Sequence, residues 1–216
     1  MDVTKVDYYS ACDKAIHGMN KQLVEAFGRL KMAKWDEVNI IRTVLTVYRN
    51  SARKARRRYY EVAFESYILM CILCGEEPEN AQRMAEKAIT DEWVDGILSE
   101  TDFVTLYRFD SEMERKAYRL AEALEVPKNR NAEIDKAMRF WSQQLGQYAI
   151  NFTDYAMIQA MDDEGIGYAE WIDMHDERVC SECRSRNGKI YRIDEIPAKH
   201  YRCRCRLRPV LKKPEE

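Results

Sequence analysis

Histidine, proline and glycine are scarce in this chain: three, five and eight of 216 residues. So few chain breakers exclude a loop-rich or low-complexity protein and favour long helices. Long apolar runs are missing too. The longest, "YILMCILC" at 67–74, is far short of the roughly 20 residues that a membrane-spanning helix needs, so no membrane partner is expected. The opening residues, "MDVTKVDYYSACDKAIHGMN", contain no apolar core of the kind that directs secretion. The expectation is a soluble protein of a reducing cytoplasm, where clustered cysteines hold metal more often than they form disulfides. Seven cysteines also leave one unpaired in any all-disulfide scheme.

Charge is present in quantity but unevenly placed. The net charge is −2, yet residues 178 to 213 hold twelve Lys/Arg against three Asp/Glu, a net of +9. The pattern reads as a basic tail module on a body that is acidic in compensation.

The body reads as helix. From 38 to 62, Val38, Ile41, Leu45, Tyr48, Ala52, Ala55, Tyr59 and Val62 recur at alternating steps of three and four, one stripe of a helix. Neither Gly nor Pro occurs between Trp35 and Cys74, so a single helix of nearly 40 residues is expected, ended by Gly75 and Pro78. A second stripe runs Ile134, Met138, Trp141, Leu145, Tyr148, Phe152, Tyr155. An earlier helix, about 7 to 31, shows Ile16, Met19, Leu23, Phe27 and Leu30, and shorter helices are expected at 79–89 and 111–124. The last of these is read as opening on a capping box, Ser111-x-x-Glu114. Stripes of this length must bury against other helices, so the fold class is mainly α: an elongated long-helix bundle or hairpin with coiled-coil-like packing. The basic run "RKARRR" at 53–58 is read as the solvated flank of the long helix, with a phosphate or acidic-surface contact as the sharper reading.

The cysteines divide into two kinds. Cys71 and Cys74 lie at the apolar end of the long helix with no histidine near in sequence, and with Cys12 they read as core. Cys180-x2-Cys183 is followed after sixteen residues by His200-x2-Cys203-x-Cys205. Tetrahedral zinc takes four soft or borderline ligands, and two close pairs brought together by a turn supply them. Asn187-Gly188 between the pairs reads as a hairpin turn ahead of strand-like Ile190 and Tyr191. Five candidates compete for four places. The matching x2 spacings favour Cys180, Cys183, His200 and Cys203. A strand over 202–208 would put Cys203, Cys205 and Leu207 on one face, so Cys205 can replace Cys203 or lie behind it. On the other face of that strand Arg202, Arg204, Arg206 and Arg208 would be free to meet phosphate or an acidic protein. The expected division is a helical domain over 1–165 and a zinc-stabilised basic β-hairpin module over 166–216. His175, in "DMHDERVC", reads as a turn or surface histidine.

The order Trp171, Asp176, "RVCSEC" (178–183), "GKIY" (188–191), Pro197, His200, "CRC" (203–205) and Pro209 resembles the C-terminal module of phage head-morphogenesis proteins, the minor head proteins of the phage Mu F-like type. The resemblance covers about 165 to 210. It implies a minor structural protein of a tailed-phage or prophage head, located in the virion after assembly in the host cytoplasm. The implied partners are portal protein, major capsid protein or both, with packaged DNA as a further contact and several copies per particle. Two departures stand out. Tyr201-Arg202 occupy the place of a Pro-Asn pair usual between the His and the first Cys, and the chain is short for such a protein, which implies that the extra domains of longer relatives are absent. Zinc would be structural here, since a closed four-ligand set leaves no open position for chemistry, and no enzyme is expected. Two readings compete: a zinc-containing DNA-binding regulator, against which no recognition helix follows the cysteines, and a metal-dependent nuclease drawing on His175 or Asp176.

Overall fold

The computed structural model describes residues 9–35, 38–100, 108–200, 203 and 205–211. Its helices are α1 (Ser10–Lys31), α2 (Ile40–Cys74), α3 (Pro78–Ala88), α4 (Asp91–Ser99), α5 (Phe109–Glu125), α6 (Arg130–Asp163) and the short α7 (Ser181–Arg186), and its strands are β1 (Tyr168–Ile172), β2 (Ile190–Arg192) and β3 (Arg206–Pro209). The protein is mainly helical with a small β-rich part near the C-terminus, as expected; among the described residues the strands form an antiparallel sheet of order β2-β1-β3.

The two long helices end for identical physical reasons. At the end of α2, Gly75 takes φ +114°, Gly75 N–H donates to Ile72 O and Glu76 N–H to Cys71 O. At the end of α6, Gly165 takes φ +69°, Gly165 N–H donates to Asp162 O and Ile166 N–H to Met161 O. Both are Schellman closures, in which a left-handed glycine satisfies carbonyls that have no partner inside the helix. The start of α2 is capped by Asn39, whose Oδ1 accepts from Arg42 N–H at 2.9 Å. Pro78 opens α3, where its missing N–H costs nothing.

Two expectations about the helices are corrected. Ser111 does not cap α5, because the helix begins at Phe109 after Arg108, which makes no side-chain cap. Glu112 points inward instead and is buried, with Arg115 Nε and Nη2 both at 2.6 Å and Lys116 Nζ at 3.1 Å. The α6 stripe fails at its end. Tyr155 is 47% exposed, while residues 144 to 149 are buried all round. A helix enclosed on every side has no polar face, so its pattern loses the one-sided period that reads as a stripe. In α2 the stripe holds from Tyr48 to Val62, but Val44 replaces Leu45 as the buried residue at the start. Helix α4, unforeseen, buries only Val94 and Leu98.

The chain divides into two compact units, one of Met1–Cys12, Tyr60–Thr90 and Ile150–Glu216, the other of Asp13–Tyr59 and Asp91–Ala149. The second unit has an aromatic core. Tyr48 and Trp141 lie 5.4 Å apart, Phe109 and Trp141 5.7 Å, and Phe109 and Tyr148 5.0 Å, with Phe27 edge-on to Tyr48 at 5.4 Å. Two buried polar atoms of this region find partners within the unit: Trp141 Nε1 donates to Ser51 Oγ at 2.7 Å and Tyr59 OH to Leu145 O at 3.1 Å. The first unit buries Tyr67, Met70, Phe152, Met157 and Met161 from α2 and α6 and carries the sheet.

Candidate metal centre

The sheet positions the cysteines. In β1, Ala169 and Trp171 point inward, paired in register with Tyr191 and Leu207, and Leu207 and Pro209 of β3 share the buried face. After β1 the chain passes through a loop and enters α7 with Cys180 as its N-cap: Cys180 Sγ accepts from Cys183 N–H at 3.4 Å. One helical turn therefore sets the two sulfurs side by side. The expected Asn187-Gly188 hairpin is instead the C-terminal end of α7. Gly188, at φ +76°, donates its N–H to Trp171 O at 2.8 Å, and Asn187 Oδ1 accepts from Asp173 N–H at 2.9 Å. The turn chemistry was rightly seen, but it closes a helix against β1 rather than joining two strands. The strand expected at 202–208 is shorter, Arg206–Pro209, and both Cys203 and Cys205 precede it. Both are nonetheless buried, as is Leu207.

All five candidate ligands meet in one cluster. His200 Nε2 lies 3.3 Å from Cys180 Sγ and 3.1 Å from Cys183 Sγ, and Cys183 Sγ lies 3.6 Å from Cys203 Sγ. Among the described residues two sets of three could hold a metal ion, Cys180/Cys183/His200 and Cys183/Cys203/Cys205, with Cys183 common to both. A zinc tetrahedron with bonds of about 2.3 Å to sulfur and about 2.0 Å to nitrogen has edges of roughly 3.5 to 3.8 Å. The separations fall at or slightly inside those edges, and the donors, thiol and imidazole, are those zinc prefers. The residues present fit the ion.

The thiols differ in acidity. Burial pushes Cys183 up to about 12, and the hydrogen bond with Cys205 pushes Cys203 up. Cys180 is held below the ordinary thiol value chiefly by the Cys183 N–H, and Cys205 by its hydrogen bond with Cys203. Sulfurs this close cannot all ionise without a cation, and a divalent ion is the cheapest way to make them all thiolates.

The other singled-out residues are placed as follows. Arg202 and Arg204 lie outside the described residues. Their neighbours Arg206 and Arg208 lie on the face of β3 opposite Leu207 and Pro209, where Arg208 is bound to Glu170, Nε at 3.0 Å and Nη2 at 2.5 Å, and Arg206 stacks its guanidinium 5.0 Å over the Tyr9 ring. Both side chains hold their own unit together. His175 is on the surface at φ +50°, its Nδ1 2.9 Å from Asp173 Oδ1. Cys71 and Cys12 are buried; Cys74 is half-buried. In the basic run of α2, Arg56 pairs with Asp95. Sequence reasoning missed one feature beside the cluster. Lys199, Asp154 and Tyr9 form a buried polar group, whose only hint in sequence is the position of Lys199 next to His200.

Comparison with known proteins reaches further into the helices than the Cys/His motif does. The model of the family described as phage Mu protein F like protein matches residues 112–208, from α5 through α6 and the whole cysteine cluster. No curated protein and no solved structure matches the chain. Over residues 112–208, a little under half of its length, the chain is similar to the family described as phage Mu protein F like protein.

Proposed function

We propose that this chain is a non-catalytic minor structural protein of a tailed-phage or prophage head, present in several copies in the virion after assembly in the host cytoplasm. It would act in head assembly and in DNA packaging or delivery through contacts with portal protein, major capsid protein or both. The observation that carries this reading is the family match at 112–208 together with the convergence of its cysteines and histidine into one ligand cluster.

Zinc held by four of Cys180, Cys183, His200, Cys203 and Cys205 would be a structural staple. Residues 166–216 offer a three-stranded sheet of short strands and a six-residue helix, too little apolar core to fold without help. A metal contributes folding free energy to such a module directly. The matching spacing and the 3.6 Å approach to Cys183 favour Cys203 as the fourth ligand, with Cys205 behind it. In this proposal the zinc-stabilised module, 166–216, presents basic side chains to DNA or an acidic protein surface. Arg202 and Arg204 are the partner-facing members, while Arg206 and Arg208 mainly brace the module.

The test is assembly. The gene is disrupted in its phage or prophage, and the heads are purified and their proteins identified. The reading requires the chain to co-purify with heads and to be captured by tagged portal or capsid protein. Heads that assemble, fill and infect normally without it would contradict the proposal.

A further inference from the structure

The side chain of Lys199 is only 7% exposed, one residue before a candidate ligand. An ammonium group has three N–H bonds to satisfy, and here each has a partner: Asp154 Oδ2 of α6 at 2.7 Å, Tyr9 OH at 3.2 Å and Cys205 O at 2.5 Å. Asp154, itself 10% exposed, also accepts from Tyr9 OH. The ring faces of Tyr9 and Trp171 complete the surroundings at 5.4 and 5.9 Å. One side chain thus spans the ligand loop. Its backbone leads into His200, and its tip grips the carbonyl of Cys205 six residues on. Cys203 N–H closes the interior of the loop on His200 O at 3.0 Å.

We propose that Lys199 is the positioning residue of the metal centre, tying the backbone at His200 and at Cys205 to Asp154 and Tyr9 so that metal loading and the docking of the Tyr9 end of α1 are thermodynamically linked. The inference rests on the zinc reading above and adds its control. A loop already closed in the right shape loses less freedom when its ligands bind, which raises affinity without a new contact to the metal. Partners that orient ligands rather than bind metal typically change metal affinity by about 10- to 100-fold when removed. Linkage is reciprocal: if Tyr9 docking favours loading, loading favours Tyr9 docking by the same factor.

The experiment uses the full chain. Zinc affinity is measured by competition with a chromophoric chelator for the natural protein and for Lys199→Met, Lys199→Arg and Tyr9→Phe. Amide hydrogen exchange of the first turn of α1 is followed with and without zinc. The expected results are zinc binding at least about 10-fold weaker in Lys199→Met, partial recovery in Lys199→Arg, and zinc-dependent protection at the start of α1 that Lys199→Met abolishes. A merely structural role would leave that zinc dependence intact. Should Lys199→Met lose its helical circular dichroism, Tyr9→Phe, which removes one hydroxyl, decides by the same readouts. Unchanged affinity in folded variants, or exchange at α1 indifferent to zinc, overturns the coupling alone. A natural protein that takes up no zinc overturns the zinc reading and the coupling with it.

Discussion

At the scale of single residues, Glu112 and Cys183 show how burial is made tolerable by partners. Burial raises the carboxyl of Glu112, but hydrogen bonds and charges from Arg115 and Lys116 outweigh it and hold the group below the usual carboxylate range. A depressed folded value means stability that is present above the unfolded value, about 4.3, and lost as pH falls through the lower folded value. Glu112→Gln should therefore cost about 2 kcal/mol at pH 7, as a charge-assisted hydrogen bond does, and progressively less towards pH 3. Urea midpoints followed by circular dichroism at several pH values check this; a cost that stays constant with pH would contradict it. Cys183 has the converse problem. Its partners are an imidazole, His200 Nε2 at 3.1 Å, and another sulfur, Cys203 at 3.6 Å, a set that a cation would join.

At the scale of elements, α6 contributes to both units: Trp141 to the centre of the second, and Asp154 to the polar group of the first. Trp141 is fully buried among Tyr48, Phe109 and the Ser51 hydroxyl. Trp141→Ala should destabilise by about 3 to 5 kcal/mol, the range for removing a buried aromatic side chain. Trp141→Phe, which keeps an aromatic ring and leaves only Ser51 without its donor, should cost markedly less. Equal losses in the two variants would show that the indole hydrogen bond, not packing, sets the contribution of this position. The elements also show what could be read in advance. Long helices with scarce glycine were legible, and so was the end of α2, because Gly75 does one physical job there that few residues can do. The α5 start was not, because Ser111-x-x-Glu114 matches a cap in spelling while Glu112 between them is needed inside. Tyr155 was misplaced because Phe152, Thr153, Asp154, Ala156 and Met157 around it are buried while it is exposed, and period alone does not say which side of a broadly buried helix stays open.

At the scale of the whole molecule, the ligand cluster was legible because its information is local: two short spacings whose residue types suit one ion. The Lys199–Asp154–Tyr9 group was not, because it joins positions 9, 154 and 199, and only the fold brings them together. The partners of the arginines were hidden in the same way: alternation put Arg206 and Arg208 on one face of the strand, but Glu170 and Tyr9, which engage Arg208 and Arg206, come from elsewhere in the chain. The central claim is that the Cys/His cluster is a zinc staple for the C-terminal module. The most direct measurement is zinc content of the purified full chain, followed by amide hydrogen exchange before and after chelation. The account predicts one zinc per chain and, on chelation, loss of protection confined to β1, α7, β2 and β3, with the middle of α2 and the Trp141 region of α6 still protected. A chain that purifies without metal while those strands remain protected would contradict it.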